Sequence, residues 1–348
     1  MFWRLNTVYA STKTKSGDAY DVTGNVVDIA TLRAMLAAMP AGSSSGTTDQ
    51  RIQFRLRDQY RRAIDALDPP DGGSETGIRA DDPTGTGLGT PKGIKARAGN
   101  GATVALSVGV FLDEKKQWAA EALLLGLPMD VSVYGDGVTQ RGTPNGLSGK
   151  EIIKTKLLPP TAILGRYFGD QNSAFRPYAG VGAMYAVFFD TKPTAELNAY
   201  QGGQSLSDTS VSIKNAFGVG PFLGVEAKFG DGWQARFNIG HVRLKTEATL
   251  ITKNTVITST SAVTKDYGPN VTTAIEVGDG FDSTTVGGAP LYPNGFTTRL
   301  MSDYANYKAT GAVPGPGVSG TATLGTFVRK QKTTLDNTIM MLSVGREF

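Results

Sequence analysis

Large apolar side chains recur at every second position through several stretches of this chain, the spacing of a β-strand with one greasy face. From Thr103 to Leu112 the even positions Val104, Leu106, Val108, Val110 and Leu112 are large and apolar, while the odd positions are Thr103, Ala105, Ser107, Gly109 and Phe111. Ala179, Val181, Ala183, Tyr185, Val187 and Phe189 repeat the pattern, as do Phe217, Val219, Pro221, Leu223 and Val225. From Trp233, the residues Ala235, Phe237 and Ile239 stand opposite Gln234, Arg236 and Asn238. The alternation predicts strands over Phe2 to Thr12, Ala102 to Asp113, Trp118 to Tyr134, Ile152 to Phe168, Arg176 to Asp190, Ala216 to Phe229, Trp233 to Leu250 and Thr333 to Phe348. Tight turns (Asp113 to Gln117, Asp170 to Phe175, Gly230 to Gly232) alternate with long connections. A soluble sandwich would bury the apolar row against a second sheet and has no reason for that alternation; a barrel turns the row to lipid and has short turns at one end. The pattern thus predicts an all-β chain, an eight-stranded antiparallel transmembrane β-barrel occupying 1–348 as one unit, with long, partly helical extracellular loops over 13–101 and 253–332.

The first long loop carries its own periodicity. Asp28 to Met39 and Thr48 to Leu67 read as helices, the second with Ile52, Leu56, Tyr60, Ile64 and Leu67 on one side and Arg51, Arg55, Arg61, Arg62 and Asp65 elsewhere. Pro69-Pro70 stops it. The stripe predicts packing on the barrel rim or on the last loop; the basic side chains could alternatively meet a partner protein or lipopolysaccharide phosphates. The last loop, rich in Thr, Gly and Val, is expected to contain extra hairpins, because long structureless loops are uncommon.

Composition narrows the alternatives without choosing among them. The chain has 348 residues, 40% hydrophobic and 19% charged, with mean hydropathy -0.17, which suits one soluble β-rich domain or one membrane barrel. The best candidate for a membrane helix, Trp118 to Met129, is too short and is broken by Glu121 and Pro128. The first residues, Met1-Phe2-Trp3-Arg4-Leu5-Asn6, lack the apolar core of a secretory signal, so either a signal has been removed or the protein is cytoplasmic. The lack of cysteine fits an oxidising exterior. A net charge of +4 spread along the chain gives no basis for nucleic-acid binding.

Candidate chemistry is sparse. His241 is the single histidine and has no second His or Cys to form a dyad or a metal site, so it reads as an interfacial barrel residue. Pro144 to Lys150 is not a phosphate loop, since Pro144 replaces the opening Gly and Glu151 the required Ser or Thr. Asp279, Gly280, Phe281 and Asp282 offer too few oxygens for calcium. No enzyme, metal or cofactor is expected. One polar constellation remains. Glu121, Glu226 and Arg236 fall on the interior face at similar height near the short turns, where charges in a dry barrel must pair; they predict a plug of the periplasmic half. Pro128, Pro159 and Pro160 fall at one height on the adjacent third and fourth strands, where residues without an N–H predict either a bulge or a lateral seam in the wall.

The run Leu158-Pro159-Pro160-Thr161, then Tyr167-Phe168-Gly169-Asp170, then Phe175-Arg176-Pro177-Tyr178-Ala179-Gly180-Val181-Gly182, then Tyr185 and Phe188-Phe189-Asp190 resembles the central block of the OmpW family. Leu206-Ser207-Asp208, Lys214-Asn215-Ala216-Phe217-Gly218 and the Trp233 strand continue the match in order. The resemblance implies a narrow bacterial outer-membrane barrel that admits small apolar molecules. Three departures stand out: the first and last extracellular connections are longer than is usual in the family, Gly240 stands where a lumen-facing Trp would form a constriction, and Arg346 replaces the aromatic two residues before Phe348. On this reading the lumen is lined by Phe111, Leu123, Leu125, Met184, Phe188, Val242, Leu244 and Met341, and the barrel is a passive route for small hydrophobic solutes with lateral exit to the membrane. The partners are then outer-membrane lipid, lipopolysaccharide and those solutes. The alternative is a structural or recognition protein whose barrel anchors the large loops for an extracellular protein partner or self-association.

Overall fold

A closed ring of eight strands forms the body of the protein in the computed structural model, which describes residues 1–23, 25–67, 77–79, 95–139, 142–256, 285–286, 289–290, 296–316 and 325–348. The wall is built from β1 (Phe2–Ser16), β2 (Gly101–Phe111), β3 (Trp118–Leu125) continued by β4 (Met129–Gly135), β5 (Glu151–Leu158) continued by β6 (Thr161–Tyr167), β7 (Phe175–Pro193), β8 (Ala216–Phe229), β9 (Trp233–Thr252) and β10 (Phe327–Glu347). All neighbours are antiparallel. The ring runs β1, β2, β3, β6, β7, β8, β9, β10 and closes from β10 onto β1, with Phe2 opposite Glu347 and Ser16 opposite Thr333. Closure removes the exposed edges that an open sheet could not leave in hydrocarbon.

The period-two pattern sorts side chains as the sequence predicts. Val104, Leu106, Val108 and Val110 of β2, Val181 and Tyr185 of β7, Val219 and Leu223 of β8 and Phe237 and Ile239 of β9 are exposed on the outside, whereas Ala105, Ser107, Met184, Phe222 and Asn238 are buried inside. Trp118, Phe168, Phe175, Phe229 and Trp233 stay exposed at the short-turn end, in the position of an interfacial aromatic belt. Among the described residues no helix is long and apolar enough to cross a membrane.

Two strands outrun their alternation. β1 continues to Ser16 and β10 begins at Phe327, so the long connections are shorter than 13–101 and 253–332. Lys13 pairs with Asp336 and Thr14 with Leu335, with no greasy row on either strand there. The backbone ladder sustains this part of the wall, and an inner face of polar residues such as Thr12, Thr14, Gln331 and Thr333 leaves no greasy row to read.

The first and last loops fold together. α1 (Ile29–Ala38) starts at Asp28, whose carboxylate accepts from the Thr31 amide at 2.7 Å, and stops at Met39, which is extended ahead of Pro40. α2 (Thr48–Leu67) lays Leu56, Tyr60, Ala63 and Ile64 against Ile29, Leu32 and Met35 of α1. The third member is a helix that sequence reading misses: Phe296–Thr310 in the last loop brings Leu300 and Tyr304 into the same core. Tyr60 donates to Asp303 at 2.7 Å and Tyr304 to Asp28 at 2.6 Å, pinning the two loops to each other. Of the expected extra hairpins, the described residues contain one short pair, Thr285–Val286 with Ala289–Pro290. Asp279 to Asp282, like Pro69 and Pro70, lies outside the described residues.

Candidate functional site

The short-turn end of the lumen is closed by side chains. Glu121 on β3, Glu226 on β8 and Arg236 on β9 all point inward and are buried. Their linker is Arg4 of β1, fully buried, which donates to Glu121 at 3.1 Å and to Glu226 at 2.7 Å. Arg236 grips both oxygens of Glu121, at 2.5 and 2.8 Å. Glu226 and Arg236 are cross-strand neighbours by register, yet the carboxylate turns to Arg4. With its amide nitrogen turned toward Glu226, Gln234 donates to that carboxylate at 2.7 Å and accepts from Arg4 at 3.3 Å. Phe2, Phe111, Ala119, Tyr167 and Tyr178 pack around this cluster, with Tyr167 and Tyr178 stacked at 5.1 Å. Such a layer excludes water, and bidentate pairing offsets the cost of desolvating its charges.

Above the cluster the lumen turns apolar. Phe222 of β8 points inward, its ring seated on Gly182 and Gly240 of the flanking strands, where a Cβ at either position would overlap the ring. Gly240, where a lumen-facing Trp was expected to be missing, leaves the seat that the Phe222 ring fills. Over this ring opens a chamber with a cavity volume of about 100 Å3. Val8, Leu123, Met184, Leu244, Ile339 and Met341 line its lower part, while Thr12, Thr14, Gln331, Thr333 and Asn337 appear toward the long-loop end; among the described residues no charged one touches it.

One side of the chamber meets an interruption in the wall. Thr161 pairs with Leu123 and Leu157 with Met129, so the five residues Leu124–Pro128 face only the three residues Leu158–Pro160 and the register shifts by two. Among the described residues no backbone hydrogen bond joins Gly126–Pro128 to Pro159–Pro160. Each side holds to its other neighbour: the Gly126 amide donates to Val104 at 3.0 Å and the Tyr185 amide to Pro160 at 3.0 Å. Pro159 and Met129 both border the chamber. Pairing onto β9 also lapses between Ile213/Ala248, the last pair made by the short strand Thr209–Ile213, and Phe222/Gly240 of β8. There the backbones stay pressed together, since a Cβ on Gly220 would run into the His241 carbonyl.

Comparison with known proteins agrees with this architecture. The OmpW family model matches residues 73–274, more than half of the chain. The chain belongs to the OmpW family. Outer membrane protein W of Vibrio cholerae is 33% identical over 99 residues, 28% of this chain and 43% of that protein. The Escherichia coli protein of the same name is 34% identical over 98 residues, again 43% of its length. The chain thus matches less than half the length of these relatives. Among solved structures, OprG from Pseudomonas aeruginosa gives a TM-score of 0.49 at 14% identity, covering all of this chain and 94% of that one. AlkL in lipid bilayers gives 0.41 at 12% identity, covering all of this chain and 90% of that one.

As an OmpW barrel of the outer membrane, the protein puts its short turns and charged cluster at the periplasmic end and its helical cap outside. Leu123, Met184, Phe188, Leu244 and Met341 border the chamber. Val242 is buried in the packing around it. Phe111 points inward but sits lower than the lumen-lining role requires, its ring 5.4 Å from Phe2 and 5.9 Å from Tyr167 in the aromatic layer of the base. Leu125 ends β3, and its side chain lies outside the described part. Glu121, Glu226 and Arg236 come together in one cluster, and Pro128, Pro159 and Pro160 flank one break. His241 faces outward, half exposed, 4.0 Å from Asp336. Sequence reading missed Arg4, Arg176 and Phe222. The signal for the arginines was available, because a charge on the interior face of a narrow barrel requires a partner.

Proposed function

We propose that this OmpW barrel admits small hydrophobic molecules from outside into the apolar chamber and releases them sideways into the membrane between β3/β4 and β5/β6. The observation that carries the reading is the junction of an uncharged chamber, closed below by Phe222 and the arginine–glutamate cluster, with the unpaired stretch of wall at Pro128, Pro159 and Pro160. A molecule entering from the long-loop end meets charge and aromatic packing ahead of it and a wall without cross-strand hydrogen bonds beside it. The chain has no cysteine, so the test is direct. Gly126→Cys with Pro160→Cys, bridged by a thiol-reactive linker, should cut uptake of an apolar fluorescent solute severalfold, and reversal of the linker should restore it. Unchanged uptake in the bridged barrel refutes lateral release.

A second reading, a recognition protein carried on a barrel, is favoured by the cap, whose helices from both long loops share a core. Replacing Ile29–Leu67 and Phe296–Thr310 by short linkers separates the two: uptake survives if the cap serves recognition alone.

A further inference from the structure

We propose that the periplasmic base of the barrel binds a small monovalent anion, chloride in a saline medium, at the guanidinium of Arg176. Arg176 is fully buried at the start of β7. One face of its guanidinium lies over the Tyr167 ring at 5.1 Å, and Nη2 donates to the Lys116 carbonyl at 2.8 Å. Nε and Nη1, the other edge of the fork, have no hydrogen-bond partner among the described residues. These donors belong to a charged group and are buried away from solvent, where an unpaired charge is costly.

The neighbouring carboxylates are already engaged. Glu226 stands directly opposite Arg176 in register, but it is held by Arg4 and Gln234. Glu121 is held by Arg236 and Arg4. Glu347 takes Lys116 and Lys228. Asp113 on the adjacent turn accepts the Gln117 and Trp118 amides through Oδ1. Among the buried groups of the base, Arg4, Arg176 and Arg236 thus face Glu121 and Glu226, three cations to two anions. Water could accept the two N–H groups but would leave the excess charge uncompensated; an anion does both.

The test uses the intact barrel in detergent. At constant ionic strength, sodium chloride or bromide replaces sodium gluconate, whose anion is too bulky for a buried site, and thermal unfolding is followed by tryptophan fluorescence. The expected result is a saturable upward shift of Tm with either halide, lost in Arg176→Gln, and no loss of stability of that variant in gluconate. Crystals grown in bromide should give an anomalous peak within hydrogen-bonding reach of Arg176 Nε and Nη1. A Tm that ignores the anion, a halide response surviving in R176Q, or bromide found only elsewhere, an adventitious ion only, overturns the proposal. Should R176Q fail to fold, the halide titration and the bromide map of the unmutated protein decide it.

Discussion

Replacing Arg4 by Met is the most informative change in the charged floor, because it removes the link while keeping the volume of the side chain's stem. In the native barrel Arg4 is fully buried and contacts both carboxylates, Glu121 at 3.1 Å and Glu226 at 2.7 Å. After the substitution Glu121 keeps both bonds from Arg236, but Glu226 retains only the neutral Gln234. The expected loss is thus that of breaking a buried pair by removing one partner, about 3–5 kcal/mol, set by Glu226 more than by Glu121. Removing the stranded carboxylate as well should recover most of it, since an apolar replacement of a whole buried pair is often neutral. Urea titrations of Arg4→Met, Glu226→Leu and the double variant in lipid vesicles, read by tryptophan fluorescence and by the mobility of the folded barrel in cold detergent gels, complete the cycle. If Arg4→Met costs less than about 1 kcal/mol, or the double variant is as unstable as the sum of the two, the carboxylates are hydrated in the base and the floor is not dry.

The cap should loosen in acid. Burial pushes the Asp28 carboxyl up, but the hydroxyl and amide hydrogen bonds from Tyr304 and Thr31 outweigh it and hold the group below its ordinary value. A depressed folded-state pKa stabilises above the unfolded value and the contribution disappears as pH falls through the folded one. The hydrogen-exchange protection of α1 should therefore fall below about pH 4, and Asp28→Asn, which keeps an N-cap but carries no charge, should lack that dependence. Phe222→Ala should cost about 3–5 kcal/mol and deepen the chamber while leaving planar bilayers non-conducting, because the arginine–glutamate cluster below it remains; an ohmic current in this variant would assign closure to the ring.

The parts of this molecule that face lipid were legible in the sequence, and those that depend on distant partners were not. β2 and β8 declare themselves because hydrocarbon on one side admits only rows such as Val104, Leu106 and Val108, while the crowded inner side takes Gly, Ala and Ser. α2 is visible through Leu56, Tyr60 and Ile64 at helical spacing. The helix Phe296–Thr310 is not, since only Leu300 and Tyr304 are required of it and their partners lie in α1 and α2, more than two hundred residues away. The seat of Phe222 escaped for a similar reason: Gly182 and Gly240 are unremarkable on their own strands and acquire meaning from a ring on the strand between them. Glu121, Glu226 and Arg236 were recognisable as charges on an inward face, but two carboxylates to one guanidinium left a cation to be found, and Arg4 supplies it.

The prolines of the wall have a further physical sense. Inside hydrocarbon an unpaired backbone N–H costs several kcal/mol, so a strand pair cannot simply be parted there. The break places eight residues, Leu124–Pro128 and Leu158–Pro160, between the last pairs of the lower ladder and the first of the upper one. Three of them, Pro128, Pro159 and Pro160, have no N–H to leave orphaned. Gly126 gives its own to Val104, and the Pro160 carbonyl takes the Tyr185 amide, so the outer neighbours on both sides satisfy groups that the break would otherwise strand. The interruption is thereby confined to one strand boundary while β2 and β7 on either side stay attached to it. Pro221 on β8 shows the contrasting case: its strand also lapses in pairing with β9, but Gly218 and Gly220 let the backbones close up against the Arg243 and His241 carbonyls. Glycine there keeps the wall shut where a donor is missing; at the other boundary no glycine stands on the Pro159–Pro160 side, and the chamber reaches the wall.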